Sequence, residues 1–341
     1  MRTFVFGAGA SVDAGYPLTA ELWRAMEGWT RATFPEEHDF RNAVDTMNTE
    51  FNMSKSFELV LTDLDNRIGP FLSEGQTTLE KVMLKRIRGA MKAMIPLYFN
   101  SLRSKPAELY RVFADHVLAL GDAVITFNYD LALDREMKRA GKWSIGNGYG
   151  FEVDPIHLGI SPCMFFKLHG STNWRGERFQ GLQSLSVTSL NNLPLGQRPI
   201  IDPSEFQFLE YGEASDPLCH SGRAGIESII MPTANKKFFN ETSFGREWEG
   251  FWDALWLKAG EALNSSNEVY LIGYSVPEYD GRARDLLAKG INKNAKVRVC
   301  CRKSTTDVIE SLKKLIDLEN TDIQPACATT FEDWVSCMNA E

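Results

Sequence analysis

Three polar residues stand where short apolar runs end. Asn128 and Asp130 follow Ala123-Val124-Ile125-Thr126-Phe127, and His169 follows Met164-Phe165-Phe166-Lys167-Leu168. Asn128 offers two donors and an acceptor, and an ionised Asp130 only accepts. The pair suits the hydroxyls of a ribose and a positioned water. Both residue types are also common helix caps, so capping the helix that follows is the plainer task for them. His169 has an unperturbed pKa of about 6.5, which suits proton transfer at neutral pH. It is the one histidine at such a strand end. His157 and His220 lie in loop-like sequence without that context, and His116 falls on an apolar helical face, where a packed core histidine is expected.

A glycine-rich turn opens the chain. Phe4, Val5 and Phe6 run into Gly7-Ala8-Gly9-Ala10-Ser11, followed by Val12-Asp13-Ala14-Gly15-Tyr16-Pro17. A buried strand that ends in small residues and turns into a helix places backbone N–H groups at its carboxyl edge. There a diphosphate is held by those groups and by the positive end of the helix dipole. Gly7 and Gly9 would admit the phosphates to the backbone. The spacing departs from the usual dinucleotide fingerprint, because Val12 stands where its third glycine belongs. A fourth strand end carries Gly273-Tyr274-Ser275.

The elements that position these turns alternate in type. Strands are expected at the N-terminus, 123–127, 164–168, 228–231, 268–274 and, as the last of the sheet, 295–301. Helices lie between them, which argues an α/β fold with a doubly wound parallel sheet. Ligands bind beyond the carboxyl ends of such strands, so the four turns are expected to converge on one crevice. No β-run interrupts 20–120, so 34–120 is expected as a helical insertion in a single domain spanning 1–341. Within it Met83, Ile87, Met91, Met94, Ile95 and Tyr98 recur at helical spacing. Lys81, Lys85, Arg86, Arg88 and Lys92 form a basic stripe expected to be solvated. Residues 176–227 are rich in Gly, Pro, Asn and Ser and are expected to form a loop-rich excursion or lid. In 244–263, Trp248, Phe251, Trp252, Leu255 and Trp256 make an aromatic face expected to be core or subunit interface. An amphipathic helix is expected over 305–319, with 321–341 expected to be too short for another domain.

Composition narrows the classes. At 341 residues, with 43% hydrophobic and 24% charged, the chain has the make-up of a globular protein with a sizeable core. A net charge of −8 argues against a broad nucleic-acid-binding face. No apolar stretch is long enough for a bilayer span, and glycine at position 7 interrupts any signal peptide. Cys163, Cys219, Cys300, Cys301, Cys327 and Cys337 form no Cys-x-x-Cys pair. The scatter supports neither a zinc site nor a disulfide framework and fits a reducing, cytoplasmic setting.

The four turns, in this order, resemble the sirtuin family. The likeness is to the bacterial sirtuin-like NAD hydrolases of anti-phage defence, which favour an Asn-Tyr-Asp turn and a Leu-His-Gly-Ser turn. It runs from Arg2 to about residue 304 and implies a Rossmann-like, sirtuin-like domain that cleaves NAD to nicotinamide and ADP-ribose. By this resemblance Gly7, Ala8, Gly9 and Ser11 hold the diphosphate, and Asn128 contacts the nicotinamide ribose. His169 is the catalytic base, and Gly273 and Ser275 face the phosphate and adenosine side. Asp130, Gly170 and Ser171 fall in the same turns and are carried as cofactor-binding candidates. The chain lacks the paired cysteines of the zinc module of protein-deacylating sirtuins, and no zinc is expected. It also lacks their Asp-Phe-Arg stretch, since Pro17 leads to Leu18-Thr19-Ala20. NAD as the substrate of hydrolysis is favoured over the alternatives, a zinc-less deacylase or a non-catalytic NAD or ADP-ribose sensor. A dehydrogenase is disfavoured, because no acidic residue stands at the end of a second βα strand to hold a ribose. The resemblance also implies a homo-oligomer and a partner such as a ring-forming ATPase or an Argonaute-type protein that supplies sensing. No membrane association is expected.

Overall fold

The computed structural model describes residues 1–69, 78–102, 106–144, 149–150, 162–172, 174–175, 200–201, 229, 231–233, 245–302, 305–315 and 321–340. Six strands form one all-parallel sheet: β1 (Arg2–Phe6), β2 (Ala123–Thr126), β3 (Met164–Lys167), β4 (Glu268–Ile272), β5 (Lys296–Cys300) and β6 (Asp322–Pro325). Their spatial order is 3-2-1-4-5-6. This is the doubly wound, Rossmann-like order, in which the chain builds outward from β1 in one direction and returns to build in the other. Sequence periodicity stopped the sheet at β5. The structure adds β6, whose Ile323 pairs with Val297 at the edge. The segment Asp322-Ile323-Gln324-Pro325 is half polar and lies on an edge, where a continuous apolar run is not required and proline is tolerated.

The helices are α1 (Thr19–Thr33), α2 (Asp39–Glu50), α3 (Phe57–Ile68), α4 (Leu79–Ser101), α5 (Glu108–Val112), α6 (Ala132–Arg139), α7 (Gly245–Asn264), α8 (Gly281–Gly290), α9 (Thr305–Leu315) and α10 (Phe331–Ala340). Alternate residues of β1 face opposite sides, as the strand period demands. Phe4 and Phe6 meet Phe113 at 5.1 and 5.0 Å, and reach Trp334 and Phe331 of α10. On the other side the Thr3 hydroxyl bonds Ser266, just beyond α7, at 2.6 Å. A strand buried on both faces carries its apolar run without alternation. At the opposite end, Arg2 Nη2 meets Asp122 Oδ2 at 2.7 Å, and the Arg2 N–H bonds Asp122 Oδ1 at 2.9 Å. That bidentate clamp ties the start of β1 to β2.

Several expectations change at the level of packing. Val112 passes into a π-helical turn over Phe113–Val117, with Leu118 N–H bonding Phe113 O at 2.9 Å. The buried side of this stretch is Tyr110, Phe113, Ala114, Val117 and Leu118, so His116 stands beside it, exposed and not a core histidine, and Leu120 is 73% exposed. Helix α4 packs against both α2 and α3. Burial on two sides draws in part of the basic stripe: Arg88 and Lys92 are buried, and Arg88 Nε pairs with Asp65 Oδ1 at 2.6 Å. Met83, assigned to the apolar face, is exposed. Trp252, Leu255, Trp256, Ala259 and Leu263 of α7 are core, which removes them as a contact surface. Among the described parts of 176–227 only Ile200–Ile201 appears, paired antiparallel with Trp174–Arg175. The remainder of that excursion, together with His157, His220, Cys219 and residues 316–320, lies outside the described residues. Of the strand expected at 228–231, Ile229 is described as a single bridge to Gly170.

Candidate functional site

The sheet reverses its winding between β1 and β4, and in this architecture ligands bind beyond the carboxyl ends at that point. There the β1 turn lies directly on the β4 turn. Gly7 N–H bonds Ile272 O and Gly9 N–H bonds Gly273 O, both at 3.0 Å. A β-carbon on Gly7 would stand 2.7 Å from Gly273 O and from Tyr274 Cα. One on Gly273, whose φ is +61°, would stand 2.3 Å from Ala10 N. The glycines are needed so that two backbones can touch, a different reason from the approach of phosphates. Ala10 N–H bonds Gly7 O and Ser11 N–H bonds Ala8 O, so four N–H groups of this turn serve protein carbonyls. The turn is a single 3₁₀ turn over Ala8–Ala10, and α1 begins only at Thr19. Contrary to the expectation from sequence, the turn therefore does not lead directly into an α-helix N-terminus.

Asn128 is bound into the same turn. Its Nδ2 donates to Gly7 O at 2.9 Å and to Ser11 Oγ at 3.0 Å, and its backbone N–H bonds Thr126 Oγ1. Ser11 Oγ donates to Asp130 Oδ2 at 2.8 Å and contacts Tyr110 OH at 2.9 Å. Asp130 Oδ1 accepts from Ala132 N–H at the start of α6. Both Asp130 oxygens thus have protein partners, one of them the first N–H of α6. The Asp130 carbonyl accepts from Lys167 Nζ, which also pairs with Asp134 at 3.0 Å. Burial pushes the Asp134 carboxyl up, while the Lys167 ammonium opposes the shift. Tyr149 adds a 2.6 Å bond to Asp134.

His169 enters from the end of β3. Its ring lies 5.0 Å from Phe127, which in turn stacks on Tyr274 at 4.5 Å. His169 Nε2 stands 3.5 Å from Asp280 Oδ2, and both side chains are buried. Asp280 also caps α8 through Ala283 N–H and receives Tyr274 OH at 3.4 Å. Nearby, Tyr279 OH donates to the buried Glu58 at 3.1 Å, tying α3 to this loop. Burial, with the Asp280 charge second, holds the Tyr129 and Tyr274 phenols above their ordinary range. Gly170 follows with φ +84° and bridges Ile229. The Ser171 hydroxyl is buried without a hydrogen-bond partner among the described residues, and such an atom calls for an explanation. Ser275 is exposed, and next to it Val276 adopts φ +50°, a rare conformation for a β-branched residue.

All four sequence turns therefore meet through direct contacts at one sheet edge. Two participants carried no sequence signal of their own. Tyr110 lies in an ordinary helical stretch, and Asp280 stands seven residues beyond Gly273, at the cap of the next helix. Extending each strand-end turn as far as its helix cap would have found Asp280. Among the described residues no three metal-capable side chains gather, and no helix is long and apolar enough to cross a membrane. No protein-family model matches the chain, and no curated protein is found similar to it.

Proposed function

We propose that the chain is a NAD hydrolase that transfers the ADP-ribosyl group of NAD to water. The observation that carries the reading is that the His169 ring lies against Phe127 and Tyr129, the residues on either side of Asn128, at the switch point of a Rossmann-like sheet. The motif resemblance supplies the chemistry. The nicotinamide–ribose bond breaks through an oxocarbenium-like state, so the task is positioning and charge stabilisation in a site shielded from water. Asn128 orients the ribose and the attacking water. His169, held beside Asp280, takes the proton from water, directly or through a ribose hydroxyl. The Ser171 hydroxyl, which has no partner among the described residues, offers the site a further polar contact for the substrate.

The deciding experiment mixes purified protein with NAD and follows free nicotinamide, with and without an acetylated peptide. We expect nicotinamide and ADP-ribose without dependence on peptide. His169→Ala should slow the reaction about a hundred- to ten-thousand-fold, and Asn128→Ala by a comparable factor, about 3–4 kcal/mol by analogy with a lost oxyanion donor. Release that requires the peptide would establish a deacylase, and binding without release would establish a sensor. Wild-type rates from folded His169→Ala protein would remove the histidine from the mechanism.

A free NAD hydrolase drains its cell of cofactor, so the reading extends to control by self-assembly or by a second polypeptide, as in anti-phage defence. Light scattering and a pull-down from the native host test that extension. A monomer that binds nothing and runs at full speed alone would defeat it.

A further inference from the structure

The Ser11 hydroxyl is saturated. A hydroxyl has one proton and two lone pairs, and Ser11 Oγ lies 2.8 Å from Asp130 Oδ2, 2.9 Å from Tyr110 OH and 3.0 Å from Asn128 Nδ2. A carboxylate oxygen only accepts, so the Ser11 proton goes to Asp130. Tyr110 OH must then donate to one Ser11 lone pair, and burial keeps that phenol protonated. The Asn128 amide donates to the other. Its second proton goes to Gly7 O at 2.9 Å. Flipping the amide would set Oδ1 against the Gly7 carbonyl oxygen and against a hydroxyl whose proton is committed elsewhere. The hydrogen-bond pattern thus assigns the amide orientation.

We propose that Ser11 and Tyr110 are positioning residues that hold Asn128 as an acceptor-only contact, with Oδ1 as the one polar atom of the amide offered to a ligand. What Asn128 holds is then a donor, a hydroxyl, a water or an N–H, never a carbonyl or phosphate oxygen. Tyr110 belongs to α5, so the helical region between β1 and β2 takes part in shaping the site. The inference rests on reading Asn128 as a substrate contact and goes beyond it in naming what fixes the side chain.

Ser11→Ala, Tyr110→Phe, Asn128→Ala and the Ser11→Ala/Asn128→Ala double variant test it, with kcat and KM for NAD resolved. Ser11→Ala and Tyr110→Phe should each lower kcat about 10- to 100-fold while KM stays within about threefold, the mark of an interaction expressed in the transition state. In the Asn128→Ala background, removing Ser11 should cost less than about twofold more, because nothing remains to be positioned. Fully additive losses overturn the proposal. A second measurement needs no turnover. In protein labelled with ¹⁵N-asparagine, both Asn128 side-chain protons should exchange slowly, and about tenfold or more faster in either the Ser11 or the Tyr110 variant. Unchanged exchange overturns the lock. A wild type that leaves NAD intact yet shows Ser11-dependent protection retires the enzymatic reading and keeps the lock.

Discussion

Gly273→Ala offers the sharpest test of how the candidate site is built. The new methyl would stand 2.3 Å from Ala10 N, 2.6 Å from the Gly9 carbonyl carbon and 2.9 Å from Gly9 Cα, all backbone atoms that cannot rotate aside. Ordinary contact lies near 3.5 Å, so the β1 and β4 turns must separate by about 1 Å. Overpacking of this kind costs about 1–3 kcal/mol. Holding alanine at φ +61° adds about 1–2 kcal/mol, and weakening the Gly9–Gly273 bond adds about 1 kcal/mol. The expected loss is about 3–6 kcal/mol, a large part of a typical domain's stability. Two controls separate the contributions. Gly141 has φ +67° with open space around its β-carbon position, so Gly141→Ala should cost only the conformational strain, about 1–2 kcal/mol. Gly7 has φ −118° but a crowded β-carbon position, so Gly7→Ala should cost about 1–3 kcal/mol from crowding alone. Urea unfolding followed by fluorescence of the eight tryptophans measures all three. If Gly273→Ala costs no more than Gly141→Ala, the backbone-contact argument is wrong.

Stability should fall steeply at alkaline pH. Tyr110, Tyr129 and Tyr274 are held above their ordinary value of 10.0, by burial first and then by Asp130 for Tyr110 and Asp280 for the other two. A raised folded-state pKa leaves stability whole below pH 10 and removes it as pH rises beyond, at about 1.4 kcal/mol per pH unit for each phenol. A urea midpoint that stays level between about pH 9 and 11 would contradict this. Asp280→Asn keeps a good helix cap and the Tyr274 contact but loses the charge beside His169. It should slow nicotinamide release about tenfold with the melting temperature little changed, and a wild-type rate would show that Asp280 only caps α8. Asp122→Ala strips the partner from Arg2 and two backbone N–H groups, and should destabilise by about 2–4 kcal/mol. A loss under about 0.5 kcal/mol, as for an exposed pair, would show that the clamp is dispensable.

The motifs, the alternation of strands with helices and the all-parallel sheet were legible because they are local. Apolar runs such as Phe4-Val5-Phe6 and Val124-Ile125 announce strands buried on both faces, and the turns after them carry their polar residues in plain order. What periodicity could not carry was anything set by the far side of an element. The face that α5 and the turn after it bury runs through Tyr110, Phe113, Ala114 and Val117 and leaves His116 in solvent, and a second packing partner for α4 drew Arg88 and Lys92 inside. Edge strand β6 needs only one neighbour and so leaves a weak apolar signature. Gly7, Gly9 and Gly273 stood out as glycines in the sequence, but the reason they must be glycines is a contact between turns more than 260 residues apart. Likewise Asn128 was visible by its type, while the direction its amide faces was decided by Ser11, Tyr110 and Asp130, which only folding brings to one point. Local pattern determines which elements form and which groups could react. Hydrogen-bond saturation and steric exclusion act across the chain, and they determine how those groups are aimed.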